Sequence, residues 1–166
     1  MSLRWTKTFV VMILVFCFLG TEAQMLPYPY GAPISNENAK KAAAAALAEA
    51  AKNHWIMAVA VVDPSGVLVY YEKTDNTQIG SADVAIEKAR SAARFKRPTK
   101  AFQDALAKGG DGLRVLGLPG AVPVEGGVPI VVEGKDGKVV IGAIGVSGAT
   151  SDQDGQCANA GAAAIK

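Results

Sequence analysis

The chain has 166 residues, 17 Lys and Arg against 15 Asp and Glu, a formal net charge of +2, and a hydrophobic fraction of 50%. A duplex-binding protein needs clustered cations to displace counterions from phosphates, and no such run of Lys or Arg occurs, so nucleic acid is not an expected partner. With one histidine and two cysteines, a His/Cys metal cluster is excluded by counting.

The opening segment reads as an export signal. Arg4 and Lys7 precede an apolar stretch from Phe9 to Leu19, and Gly20-Thr21-Glu22-Ala23 offers small residues for cleavage after Ala23. The stretch spans eleven residues, short of the roughly 20 a membrane-spanning helix needs, so no membrane association is expected after cleavage. The expected location is periplasmic or secreted. Without residues 1–23 the chain keeps 143 residues, 15 basic and 14 acidic side chains, and Cys157 as its sole cysteine. That length suits one domain. A cysteine with no intramolecular partner is read first as a small buried apolar residue.

Residues 24–34, with three prolines and a glycine, predict an extended arm whose Tyr28 and Tyr30 could pack on a neighbouring subunit. Ser35 is a suitable N-cap for an alanine-dominated helix running to about Asn53. Ile56 to Asp63, the turn residues Pro64-Ser65-Gly66, and Val67 to Lys73 predict a β-hairpin. Ile79, Ala82, Ile86, Ala89 and Ala93 recur at helical spacing, with Asp83, Glu87, Arg90 and Arg94 on the outer side. The chain breaks at Pro98, where Thr99 or Arg97 is expected to cap a short helix carrying Phe102 and Leu106 and ending near Lys108.

Gly109, Gly110 and Gly112 end that helix and lead into a loop through Leu116 to Pro119. Val122-Pro123-Val124, Pro129 to Glu133 and Lys138 to Val146 predict three strands, the last two joined by Gly134-Lys135-Asp136-Gly137. Ser151 with Asp154 resembles a capping box for a terminal helix. The order α-β-β-α-α-β-β-β-α is rich in hairpins, which favours an α+β domain over residues 35–166 with an antiparallel sheet flanked by helices.

Four separated blocks carry a family resemblance. Ala58 to Gly66, Ala92 to Thr99, Pro123 to Ile130 and Gly142 to Gly148, followed by Asp152-Gln153-Asp154 and Ala160 to Ala163, resemble the GlcG/HbpS family in order and spacing. The resemblance spans residues 35–166 and implies a profilin-like domain with a five-stranded antiparallel sheet. It further implies assembly into dimers or higher oligomers and, for some members, haem binding.

Haem iron takes an axial ligand from His, Cys, Met or Tyr. His54 is the one histidine, and its place after the first helix also suits a capping cation. Two loops are the better pocket candidates. Phe95, Arg97 and Thr99 lie in one, where Arg97 could fork onto a carboxylate such as a propionate and Thr99 could offer an oxygen or cap its helix. Glu125, Gly126 and Gly127 lie in the other, an acceptor beside backbone that a ligand can approach closely. A turn that only positions two elements would explain the same residues.

Gly142, Gly145 and Gly148 before a helix match neither a dinucleotide fingerprint nor a Walker loop, and no nucleophile triad can be assembled. The leading expectation is an exported, self-associating protein that binds haem or a related small ligand. The alternatives are an enzyme or enzyme accessory acting on a small carboxylated or aromatic metabolite, and a ligand-free assembly module.

Overall fold

The computed structural model describes residues 27–166, and the predicted export signal lies outside them. In chain order the elements are α1 (Asn36–Lys52), β1 (Ala58–Val62), β2 (Leu68–Lys73), α2 (Ser81–Phe95), α3 (Lys100–Ala107), a 3-10 helix (Gly110–Gly117), β3 (Gly127–Gly134), β4 (Gly137–Ser147) and α4 (Ser151–Ala163). Among the described residues three helices, α1, α2 and α4, pack on an antiparallel sheet, and α3 packs on the 3-10 helix.

The sheet has four strands in the order β2-β1-β4-β3, not five. Val122 to Val124, expected as a strand, stays irregular because side chains meet its backbone donors. Val122 N donates to Ser91 Oγ at 3.0 Å, Glu125 N to Gln103 Oε1 at 2.8 Å, and Pro123 has no N–H to give. The expected loop after α3 instead winds into the 3-10 helix, with Val115 turned inward.

Alternation along the strands sorts the core into two layers. Val59, Val61, Ile144 and Val146 face α1 and α4. Ala58, Ala60, Val62 and Ala143 face the alanines of α2. The second layer is built almost wholly of small residues, so α2 lies very close to the sheet. A Cβ on Gly145 would collide with backbone atoms of Ala85 and Ala89 in α2.

Ser35 caps α1 as expected, its Oγ accepting from Asn38 N at 3.2 Å. The buried face of α1 is Ala39, Ala42, Ala43, Ala46 and Ala50. That face is used inside the chain. It lies against α4, where a Cβ on Gly161 would sit 2.8 Å from Ala42 O. Ile79 is 90% exposed because α2 begins only at Ser81, leaving it outside the apolar stripe. The capping box of α4 is Thr150 with Gln153 rather than Ser151 with Asp154. Asp154 is drawn instead into the core.

β4 runs past the end of β1, which pairs with it only from Ala143 onward. The arm takes the vacant edge. Gly31 N donates to Val140 O, Val140 N to Pro29 O and Ile34 N to Ile141 O, at 2.8–2.9 Å. Tyr30 folds back on its own chain, its hydroxyl donating to Ala93 O and Arg94 O at 3.0 Å.

Cys157 is buried between α4 and the sheet, and burial pushes its thiol up to about 11. A protonated, covered sulfur is a poor nucleophile. In protein cleaved after Ala23, DTNB is expected to titrate one thiol per chain in denaturant and essentially none in native buffer. Rapid native labelling would show that α4 does not pack as described.

Candidate functional site

The two loops singled out in the sequence meet in the structure. After Phe95 the chain turns sharply through Lys96, which adopts a left-handed backbone (φ 48°, ψ 46°). Such a conformation costs a non-glycine residue roughly 1–2 kcal/mol. Here the Lys96 side chain is held in place, donating to Tyr28 O at 3.1 Å and lying 5.3 Å from the centre of the Tyr30 ring. The turn sends Arg97-Pro98-Thr99 across to the start of β3.

Thr99 makes the junction. Its N–H donates to Gly127 O at 2.9 Å, and its Oγ1 accepts from Gly127 N at 2.9 Å. It is fully buried and makes no side-chain cap on α3, so neither helix capping nor an outward-facing oxygen describes it. The hydroxyl is committed to holding the two loops together.

Gly126 and Gly127 are also buried, and the room they leave is taken by the protein itself. A Cβ on Gly127 would meet Lys88 O and, at 2.7 Å, Thr99 Cγ2. Gly126 has φ 126°, a backbone state that glycine alone adopts readily, and its carbonyl accepts from Val146 N at 2.8 Å.

The outward-facing chemistry belongs to Phe95, Arg97 and Glu125. Phe95 meets Phe102 edge-on, with ring centres 5.2 Å apart at 80°. The Arg97 guanidinium lies 5.4 Å above the Phe102 ring, its Nε donating to Phe95 O at 3.4 Å. No carboxylate pairs with it among the described residues, which leaves most of its donor fork unused. Glu125 is half-buried over the first turn of α4, where a Cβ on Gly155 would collide with its carboxyl. Burial raises that carboxyl above its usual range. Lys100 opposes the shift, and Asp104 and Asp152 reinforce it.

His54 is exposed in a left-handed turn after α1, with φ 58°. Among the described residues no hydrogen bond, ion pair or ring contact joins it to either loop.

Beneath the loops is a feature that sequence reasoning missed. Lys88, from α2 on one face of the sheet, reaches Asp154 of α4 on the other, with Nζ 2.7 Å from Oδ2 and side-chain exposures of 1% and 3%. Nζ also donates to Val146 O at 3.1 Å, and Asp154 Oδ1 accepts from Ala149 N at 3.2 Å. Burial pushes the Asp154 carboxyl up while the Lys88 contact pulls it back. The signal was present in the sequence: Lys88 falls in the helical series Ala85, Lys88, Ala89, Ala92, on the face that carries the alanines.

These residues fit the periphery of a porphyrin and not its iron. Arg97 suits a propionate, and Phe95, backed by the buried Phe102, suits an apolar ring edge. Neither 95–99 nor 125–127 contains His, Cys, Met or Tyr. Met57 and Cys157 are sealed in the core.

Comparison with known proteins bears on the same stretch of chain. It is 38% identical to protein GlcG of Escherichia coli (strain K12) over 114 residues, 69% of this chain and 81% of that one. The fold matches a crystal structure of a double mutant of Streptomyces reticuli HbpS with a TM-score of 0.70 and 33% identity, covering 87% of this chain and 94% of that one. A structure of PduOC in complex with heme matches with a TM-score of 0.69 and 26% identity, covering 81% and 96%. The family model described as "Haem degrading protein HbpS-like" matches residues 34–163. With that model spanning nearly the whole of the described domain and a relative 38% identical over 114 residues, this chain belongs to the HbpS-like family.

Proposed function

We propose that this protein is exported, self-associates, and binds haem at the loops that carry Phe95, Arg97 and Glu125. The observation that carries the reading is the Arg97 guanidinium, held over Phe102 with no carboxylate partner among the described residues. On the other loop, Glu125 has a carboxyl that burial raises above its usual range. Arg97 would grip a propionate by paired N–H donors, the Phe95 ring would cover the macrocycle edge with the buried Phe102 behind it, and Glu125 would hold or accept a proton on the facing loop. When bound, the haem supplies a redox-active iron. Family membership and the heme complex of a structural relative support the choice of ligand.

Export is supported by the amino-terminal pattern alone. Support for self-association lies in the apolar side chains that the 3-10 helix and the following loop expose: Leu113, Leu116, Leu118 and Val124 are 39–68% accessible.

Titrating hemin into the purified protein is expected to shift and sharpen the Soret band at stoichiometric hemin. Arg97→Ala should weaken binding by about tenfold, the scale of one lost charge-assisted pair, and Glu125→Ala should weaken it as well. His54→Ala should leave the Soret position unchanged. No shift in the wild type would overturn the haem reading, and a lost shift in His54→Ala alone would move the site away from the loops. A single monomeric species at micromolar concentration in sedimentation would remove self-association.

A further inference from the structure

An open cavity lies where the arm crosses the β1–β2 turn, and it shares no residue with the loops described above. Its volume is about 470 Å³ and it is lined by Tyr30, Gly31, Pro33, Pro64, Ser65 and Arg94. That is within the range of roughly 300–1,000 Å³ typical of small-molecule sites.

The walls are set in advance. The Tyr30 hydroxyl is tied to Ala93 O and Arg94 O at 3.0 Å. Gly31 N is bonded to Val140 O at 2.9 Å, which fixes the arm to β4. On the facing side, Asp63 Oδ1 accepts from Ser65 N at 2.8 Å and from Val67 N at 2.9 Å, closing the turn around Gly66 at φ 86°. Pro33 and Pro64 add rings with locked φ. A cavity whose walls need no ordering loses little entropy on binding.

Its chemistry is one cation among apolar surfaces. Arg94 donates from Nε to Ser65 O at 3.2 Å, while its terminal amino groups have no acceptor among the described residues. A nearby cation adds to the field: Lys96 stands 5.3 Å from the Tyr30 ring centre. Glu87 neutralises a different arginine, Arg90, at 2.6 Å. Asp63 does not line the cavity. A cation near the end of α2 also complements the helix dipole. That role does not account for a hollow of this size in front of it.

The geometry points to a binding site for a small monocarboxylate with a flat apolar body, its carboxylate on the free Arg94 amino groups and its ring between Tyr30, Pro33 and Pro64. The uncommitted fork suits two oxygens in one plane, and the rings supply the apolar contact that a bare inorganic anion cannot use.

The test is a heteronuclear NMR titration of the ¹⁵N-labelled protein with benzoate, benzamide and inorganic phosphate in parallel. Benzoate should shift the amides of Gly31 and Ser65 and the Arg94 side-chain Nε–H, and should bind at least about tenfold more tightly than benzamide or phosphate. Arg94→Ala should abolish the response. Arg94 is exposed, so folding should survive, and an otherwise unchanged amide spectrum checks this. In a second variant, Ser65→Trp, the indole should fill the mouth and block benzoate while leaving Arg94 in place. No shift with benzoate, equal affinity for benzamide, or a response that persists in Arg94→Ala would each overturn the proposal. Failure of hemin binding would not, since no hemin-site residue lines this cavity.

Discussion

Replacing Lys88 by Met is expected to destabilise the fold by about 3–5 kcal/mol, because it leaves the Asp154 carboxylate buried without its counter-charge. Asp154→Leu should cost a similar amount for the mirror reason. The pair is sealed, with exposures of 1% and 3%, so solvent cannot take over from the missing partner. It joins helices on opposite faces of the sheet and passes directly beside Gly126, where a Cβ would stand 2.9 Å from Lys88 Nζ.

The double variant Lys88→Met with Asp154→Leu separates the two parts of that cost. Removing both charges ends the electrostatic penalty, so it should recover much of the loss, since buried ion pairs exchanged for apolar residues are often near neutral. Full recovery is not expected, because Val146 O and Ala149 N lose partners at 3.1 and 3.2 Å, each worth about 1 kcal/mol. Urea unfolding followed by Trp55 fluorescence measures all three. Single variants within about 1 kcal/mol of the wild type would show that the ion pair does not join the two faces of the sheet.

The second large effect is steric. Gly145→Val should lower stability by about 3 kcal/mol or more, at or beyond the upper end of ordinary overpacking, because the new Cβ meets backbone and not the movable end of a side chain. Ala85 O and Ala89 N belong to α2, and the layer between α2 and the sheet is made of alanines with no slack to yield. The whole helix would have to lift. Gly80→Ala is the matched control: nothing lies within 4 Å of a Cβ there, and the residue has φ −63°. It should stay within about 0.5 kcal/mol of the wild type. Thermal melts by circular dichroism compare the two, and equal melting temperatures would mean that α2 does not ride on Gly145.

The parts legible in advance share one property. The α1 helix, the β1–β2 hairpin, the α2 stripe from Ala82 onward and the β3–β4 hairpin are written in local periodicity, caps and turn residues. Each is decided by neighbours a few positions away. Errors fell where a distant group intervened. Val122 to Val124 has strand-like residues, yet Ser91 takes the Val122 amide and Gln103 takes that of Glu125, the residue that follows. Asp154 has the spacing of a helix cap, yet a lysine 66 residues away claims it.

The same division runs through the candidate site. Residue chemistry singled out Arg97 and Glu125 as groups that could grip a ligand, but nothing local could show that Thr99 is spent on Gly127 or that Gly126 and Gly127 make room for α2 and β4. The sequence by itself determined the kind and place of most elements, the alternation that separates the two core layers, and the residues able to handle a carboxylate. Only the tertiary structure decided which donors and acceptors remain open, that the arm completes the edge of β4, and that Lys88 reaches through to Asp154. Hydrogen-bond partners, buried charge and close backbone approach are set by which surfaces are packed together, and that packing joins residues far apart in the chain.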